Sequence, residues 1–226
     1  QAIALALGKE MPFWDRTIDL VVLTHPHADH IAGLVEVLSR YRVRQVLYPD
    51  LEYESSQYDE WLRLLEEQDI EYTLARAGQE IDFSSEITLE VLNPETPLLT
   101  ATESDIDNNS VVLRLEMGEV SFLFTADIMQ EAEFELVARR ANLTSTVLKI
   151  AHHGSATSTS KEFLAVANPR LAVISVGEGN PFGHPSSEVV DRLEEKLGQE
   201  NIYRTDENGT IEFITDGERL WVRAGR

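Results

Sequence analysis

The sequence predicts an α/β fold in one αβ-layered domain, and three observations carry that expectation. Apolar residues change period repeatedly between about 2 and about 3.6 along the whole chain, the mark of interleaved strands and helices. No repeat, low-complexity tract or linker interrupts the alternation, so layered packing on a shared core is the economical arrangement. With 226 residues, 42% hydrophobic and 26% charged, the chain is long and apolar enough for a real core in one large domain.

Residues 18–24 (IDLVVLT) are an apolar run of strand length. A helix follows over 31–41, with Leu34, Val37 and Leu38 on one face. A second strand, 43–48, stops at Pro49, and Ser55 caps an amphipathic helix over 56–68 that carries Tyr58, Trp61, Leu62 and Leu65. Short strands are expected over 70–75, 79–83 and 86–92. Residues 93–109 hold Pro, Thr, Asp and Asn without an apolar period and read as one long loop, a length that is often functional. Strands 111–117 and 120–126 form a hairpin around Gly118, followed by a helix over 128–141. Strand 146–151, helix 160–167, strand 171–176, helix 186–198 and strand 202–205 continue the pattern. Asp216-Gly217, a strong two-residue turn signal, joins a last hairpin of 210–215 with 218–223.

Composition narrows the chemistry. Cysteine is absent, which excludes disulfides, thiolate metal sites and a Cys nucleophile. No apolar run approaches the roughly 18 residues of a membrane-spanning helix. The opening QAIALALG lacks the basic region of a signal peptide. Nineteen Lys and Arg against 40 Asp and Glu give a formal charge of −21. That charge disfavours long-range attraction to nucleic acid or anionic lipid, so a polyanionic substrate needs locally placed cations.

The six histidines fall in three places: His25, His27 and His30 in THPHADH, His152 and His153 in AHHGS, and His184 in FGHPS. Each place lies just beyond the C-terminal end of an expected strand, as does Asp127. In open αβ sheets that rim is where ligands bind. A turn leaving strand 18–24 can aim His25 and His27 at one ion while Asp29 and His30, displaced toward the helix start, reach a second. Imidazole suits Zn, Fe, Mn or Co, and a shared carboxylate holds two ions about 3.5–4 Å apart. Asp127 is the candidate bridge; its alternative role is the N-cap of helix 128–141.

HPHADH is the signature of the metallo-β-lactamase fold, an αββα sandwich of two sheets between helices. The set PFWDRTIDLVVLTHPHADHIAGL (12–34), NNSVVLRL (108–115), FLFTADI (122–128), VLKIAHHGS (147–155) and GHPSSEVVDRL (183–193) resembles, more narrowly, the C-terminal domain of ComEC-type DNA-internalisation competence proteins. The resemblance implies His25 and His27 as ligands of one metal, Asp29, His30 and His153 as ligands of the other, and Asp127 as the bridge. His153 is preferred to His152 because the family's second histidine stands there. His152 and His184 then face the substrate, to bind a phosphate oxygen or protonate a leaving alkoxide.

Two departures from the family follow. Many members carry another metal-binding His before the NNSVVLRL strand, where this chain has Asp107, Asn108, Asn109 and Ser110. Asn108 and Asn109 accordingly join Asp29, His152 and His184 as expected catalytic residues, with an amide oxygen or water completing a weaker first site. The family's opening strands, with their GQGDA-like and DGG-like turns, also have no counterpart. The domain is therefore expected to span 1–226 as an N-terminally truncated fold lacking its first strands, and to self-associate through the exposed sheet edge.

The implied function is a phosphodiesterase or nuclease using two divalent ions, Mn or Zn, on single-stranded or duplex DNA during competence-related uptake. The implied partner is a membrane-embedded channel region of a parent protein, with the domain on the outer side of a bacterial cytoplasmic membrane. Two other readings stay open: a hydrolase of a small ester, lactone or phosphorylcholine-type substrate, and a noncatalytic metal-binding accessory domain.

Overall fold

A helix that no apolar pattern announces, α1 (Ala2–Glu10), precedes the first strand in the computed structural model, which describes residues 2–225. Its Leu7 packs against the core, and its close approach to the next helix depends on Gly33, where a Cβ would meet Ile3 Cγ2 at 2.9 Å. The chain divides after Ala75 into two units, each with its own core.

In the first unit the apolar runs become β1 (Thr17–Val22), β2 (Arg42–Pro49) and β3 (Glu71–Ala75), joined in the order β1-β2-β3 with both pairings parallel. The crossovers are α2 (Ala28–Arg40) and α3 (Ser56–Glu67). Ser55 caps α3 as expected, its hydroxyl accepting from Tyr58 N at 3.1 Å. The core gathers Leu23, Ile31, Val37, Leu38, Val46 and Trp61, each worth roughly 1.5–3 kcal/mol for a fully buried large apolar side chain. Helix α2 begins three residues before the apolar pattern, at Ala28, which puts Asp29 and His30 in its first turn.

The second unit contains β4 (Glu80–Ser84), β5 (Ile87–Asn93), a one-turn α4 (Asp105–Asn108), β6 (Val112–Met117), β7 (Val120–Phe124) and α5 (Gln130–Ala138). It continues through β8 (Val147–Lys149), α6 (Lys161–Ala167), β9 (Leu171–Ile174), α7 (Ser187–Leu197), β10 (Ile202–Arg204) and α8 (Thr205–Asn208). The hairpin β11 (Ile211–Thr215) and β12 (Leu220–Ala224) closes it. Seven strands form one mixed sheet in the order β10-β9-β8-β7-β6-β5-β4. Strands β4 to β7 pair antiparallel, whereas β7, β8, β9 and β10 run parallel. The C-terminal ends of β7, β8 and β9 therefore share one edge, and Asp127, the His152-His153 pair and the loop bearing His184 all leave from it.

The long loop over 93–109 is latched upon itself. Ser104 caps α4 by accepting from Asp107 N at 3.2 Å, and the Asp105 carboxylate accepts from Thr102 N at 2.8 Å and Ala101 N at 3.2 Å. Among the described residues, no helix is long and apolar enough to cross a membrane.

Candidate metal centre

The first unit contributes a tight cluster of imidazoles. The chain leaves β1 through Leu23, whose N–H still donates to Leu47 O at 3.0 Å, so the strand's direction carries into Thr24 and His25. His25 is fully buried, and its ring lies 4.8 Å from that of His27 and 4.0 Å from that of His30, centroid to centroid. The Thr24 hydroxyl is hydrogen-bonded to Nδ1 of both His25 (3.1 Å) and His30 (3.3 Å). Nε2 of each is thus the nitrogen turned away from the threonine. Asp29 is exposed, in the first turn of α2, with its carboxylate 3.6 Å from His30 Nε2. A negative charge there is favoured by the helix dipole.

The second unit contributes a carboxylate and an imidazole. Ala126 (φ 47) turns the chain sharply after β7 and presents Asp127, which is 3% exposed. Opposite it, His152 (φ 47) and His153 (φ 54) are consecutive left-handed residues, and His152 N donates to Ala126 O at 3.0 Å. Such conformations cost roughly 1–3 kcal/mol each in non-glycine residues and persist where surrounding structure enforces them, commonly at functional sites. His153 Nδ1 donates to Ser175 O at 2.6 Å, which fixes the tautomer, and its Nε2 lies 3.3 Å from Asp127 Oδ2. A ring held by a backbone carbonyl with its other nitrogen beside a buried carboxylate is the arrangement in which histidines ligate metals. The half-buried Lys149 ammonium is pushed below its usual range by burial, with Asp127 pulling it back up.

Asp127 does not cap α5, whose N-cap is Met129 with no side-chain bond of its own. The cap comes from Asn108, whose Oδ1 accepts from Met129 N at 3.0 Å and Ala132 N at 3.3 Å. His152 stands apart from His153: its Nδ1 is buried without a hydrogen-bond partner among the described residues, and its ring faces His184 at 5.9 Å. Burial, then the neighbouring His152 and His153 imidazoles, hold His184 below the usual histidine range against the opposing pull of Asp127.

Asn108 and Asn109, expected at the weaker metal site, make hydrogen bonds to α5 and within their own loop. Asn108 is fully buried in the cap just described, and Asn109 ties the loop through Leu99 N to Oδ1 at 2.9 Å and Nδ2 to Leu99 O at 2.8 Å. A short polar side chain next to α4 satisfies backbone groups more readily than it reaches outward. The carboxylate of Asp107, one residue earlier and 5% exposed, is the buried donor that α4 supplies. Sequence reasoning passed over it, because nothing in DIDNN marks which acidic side chain turns inward.

Each unit carries candidate His/Asp metal-binding groups: His25 with His27 and Asp29 with His30 in the first, Asp127 with His153 in the second, each pair offering ligand atoms within 4.8 Å of each other. Imidazole and carboxylate in these combinations fit divalent transition ions. A profile of the metallo-beta-lactamase superfamily matches residues 15–178, a stretch containing every one of these groups. The chain belongs to that superfamily.

Within the metallo-beta-lactamase superfamily, the chain is 30% identical over 198 residues to ComE operon protein 3 of Bacillus subtilis (strain 168), covering 88% of this chain and 25% of that protein. It is 37% identical over 119 residues to competence protein ComA of Neisseria gonorrhoeae, covering 51% of this chain and 17% of that one. The chain thus spans a quarter or less of the length of these relatives. Its fold is similar to that of the metallo-beta-lactamase fold protein YhfI from Bacillus subtilis, with a TM-score of 0.57 at 13% identity over 99% of this chain and 84% of that one. The fold expected from HPHADH and the resemblance to competence proteins both hold.

Proposed function

We propose that the chain is a metal-dependent phosphodiesterase that cleaves DNA in the setting of DNA uptake. The observation that carries this reading is the His153 ring, oriented by Ser175 O with Nε2 beside the buried Asp127, in a superfamily member whose relatives bear competence names. His25 and His27 would hold one divalent ion, Asp29, His30 and His153 would hold a second, and Asp127 would serve both. Asp107 offers a further buried carboxylate from α4. Three carboxylates in the donor set favour Mn²⁺ alongside Zn²⁺. Divalent ions, when bound, supply the Lewis acidity that makes water nucleophilic near neutral pH and offsets negative charge on phosphoryl oxygens.

The remaining residues handle the substrate. His152 and His184 hold a phosphate oxygen or deliver a proton from a ring nitrogen to the leaving alkoxide. Lys149 adds positive charge behind Asp127. Asn108 and Asn109 act at one remove, by shaping the turn that carries Asp107. In the setting of the competence relatives, the domain works outside a bacterial cytoplasmic membrane, next to a membrane-embedded channel region.

Single-stranded DNA, duplex DNA and a small carboxylic ester, each with Mn²⁺, Zn²⁺ or EDTA, test the reading. DNA cleavage with a metal and none with EDTA supports it. Ester hydrolysis without DNA cleavage redirects it to a small-substrate hydrolase, and neither activity leaves a metal-binding accessory domain.

A further inference from the structure

The loop between β9 and α7 holds an aromatic ring out in water beside the histidines. Phe182 is 77% exposed, although burying such a side chain is ordinarily worth roughly 1.5–3 kcal/mol. The loop that exposes it is built. Asn180 Oδ1 accepts from Phe182 N (3.2 Å) and His184 N (3.1 Å), while its Nδ2 donates to Gly177 O (3.1 Å) and His184 O (2.7 Å). At one end Val176 N donates to Thr205 Oγ1 at 2.8 Å, and at the other Ser186 N donates to Gly154 O at 2.8 Å. The Phe182 ring stacks on His184 with centroids 5.9 Å apart and planes 18° from parallel, and His184 in turn faces His152 at 5.9 Å. On either side, a Cβ at Gly179 or Gly183 would meet no heavy atom within 4 Å, so the approach is open.

We propose that Phe182 is a base-stacking residue: it takes the face of an unpaired nucleobase adjoining the phosphate at His184, and so gives the site a preference for single-stranded DNA. The proposal rests on the phosphodiesterase reading and adds the strand class and the residue that selects it. A protein partner does not fit, because one ring among glycines and polar groups falls far short of the roughly 1,000 Å² of a specific interface. A nucleobase fits, because every base has a π-face that stacks on an aromatic side chain independently of sequence, and stacking between neighbouring base pairs hides that face inside a duplex.

The test uses the full chain with Ca²⁺ and a fluorescein-labelled single-stranded oligonucleotide, read by anisotropy, alongside an all-abasic oligonucleotide of the same length. Phe182→Ala is expected to weaken single-strand binding roughly 5- to 100-fold, the loss typical of one stacking contact. Phe182→Trp should restore it, and the alanine change should leave abasic binding unaltered. Equal single-strand binding by wild type and Phe182→Ala, equal losses on both oligonucleotides, or no DNA binding by the wild type overturns the proposal. Failure of the parent reading looks different: the wild type cleaves no DNA with any metal, while the binding comparison still decides Phe182.

Discussion

Replacing Gly154 by alanine adds one methyl group where the His152-His153 turn meets the segment carrying His184. Gly154 sits at φ +83, and a Cβ there would lie 2.6 Å from Pro185 Cβ and 3.1 Å from Pro185 Cα, with Ile174 Cγ2 at an ordinary 3.5 Å. Pro185 has no rotamer by which to retreat, since its ring is closed onto the backbone. The left-handed backbone costs an alanine about 1–2 kcal/mol, and overpacking adds about 1–3 kcal/mol. Together these amount to about 2–5 kcal/mol, or roughly 4–20 °C in Tm for a chain of this size. Should the turn give way instead, the 2.8 Å bond from Ser186 N to Gly154 O opens and the spacing of His152 and His184 changes. The assay is thermal melting by circular dichroism, with turnover of bis(p-nitrophenyl) phosphate and metal content measured on the same samples. A lower Tm, or a loss of turnover of about tenfold or more with metal retained, is expected. A variant that melts and turns over like the wild type refutes the view that these two segments are latched at Gly154.

His184→Ala is expected to lower turnover by roughly 10²–10⁴ with metal content unchanged, as for a positioned acid or phosphate ligand; a fall in metal stoichiometry instead makes His184 a ligand. Glu133, fully buried, accepts from Thr159 N and from Ser160 N (2.8 Å) and thereby pins the strand of chain that follows His152 and His153. Glu133→Ala removes two buried hydrogen bonds, leaves their N–H donors without an acceptor and is expected to destabilise the chain by about 2–5 kcal/mol, checked by urea unfolding. Burial raises the pKa of Glu133 against the pull of Ser160, Thr159 and Arg192, so the native state keeps its proton to higher pH than the unfolded chain. Its contribution to stability is therefore full below the ordinary carboxylate range and declines as pH rises through the raised value, a slope that Glu133→Gln should flatten in melts taken from about pH 4 to 8.

Much of the fold is legible in the sequence. HPHADH after an apolar run fixed the first strand, its helix and the cluster of imidazoles, because periodicity and ligand types are local properties. The start of α2 at Ala28 was hidden because Ala28, Asp29 and His30 carry no apolar period, and α1 because nine residues containing Gly8 make too short a pattern. What periodicity cannot show is which polar groups meet across the sheet. The cap of α5 comes from Asn108, 21 residues before Met129, and the carbonyl that orients His153 belongs to Ser175, 22 residues after it. Both partners were in plain view, with no sequence signal linking them. Asp107 was missed because burial of one carboxylate in an acidic turn depends on how the turn is tied, and Phe182 because exposure of an aromatic residue is a property of the loop around it.

The most direct measurement is cleavage of DNA by the Mn²⁺-loaded chain beside its Asp127→Ala variant, with metal content by elemental analysis and folding by circular dichroism. Because Asn108 supplies the helix cap, the variant should fold. The expected result is metal-dependent cleavage by the wild type, abolished by EDTA, and loss of both cleavage and bound metal in the folded variant. Wild-type turnover by Asp127→Ala with its metal content unchanged would contradict the assignment of Asp127 and, with it, the metal centre.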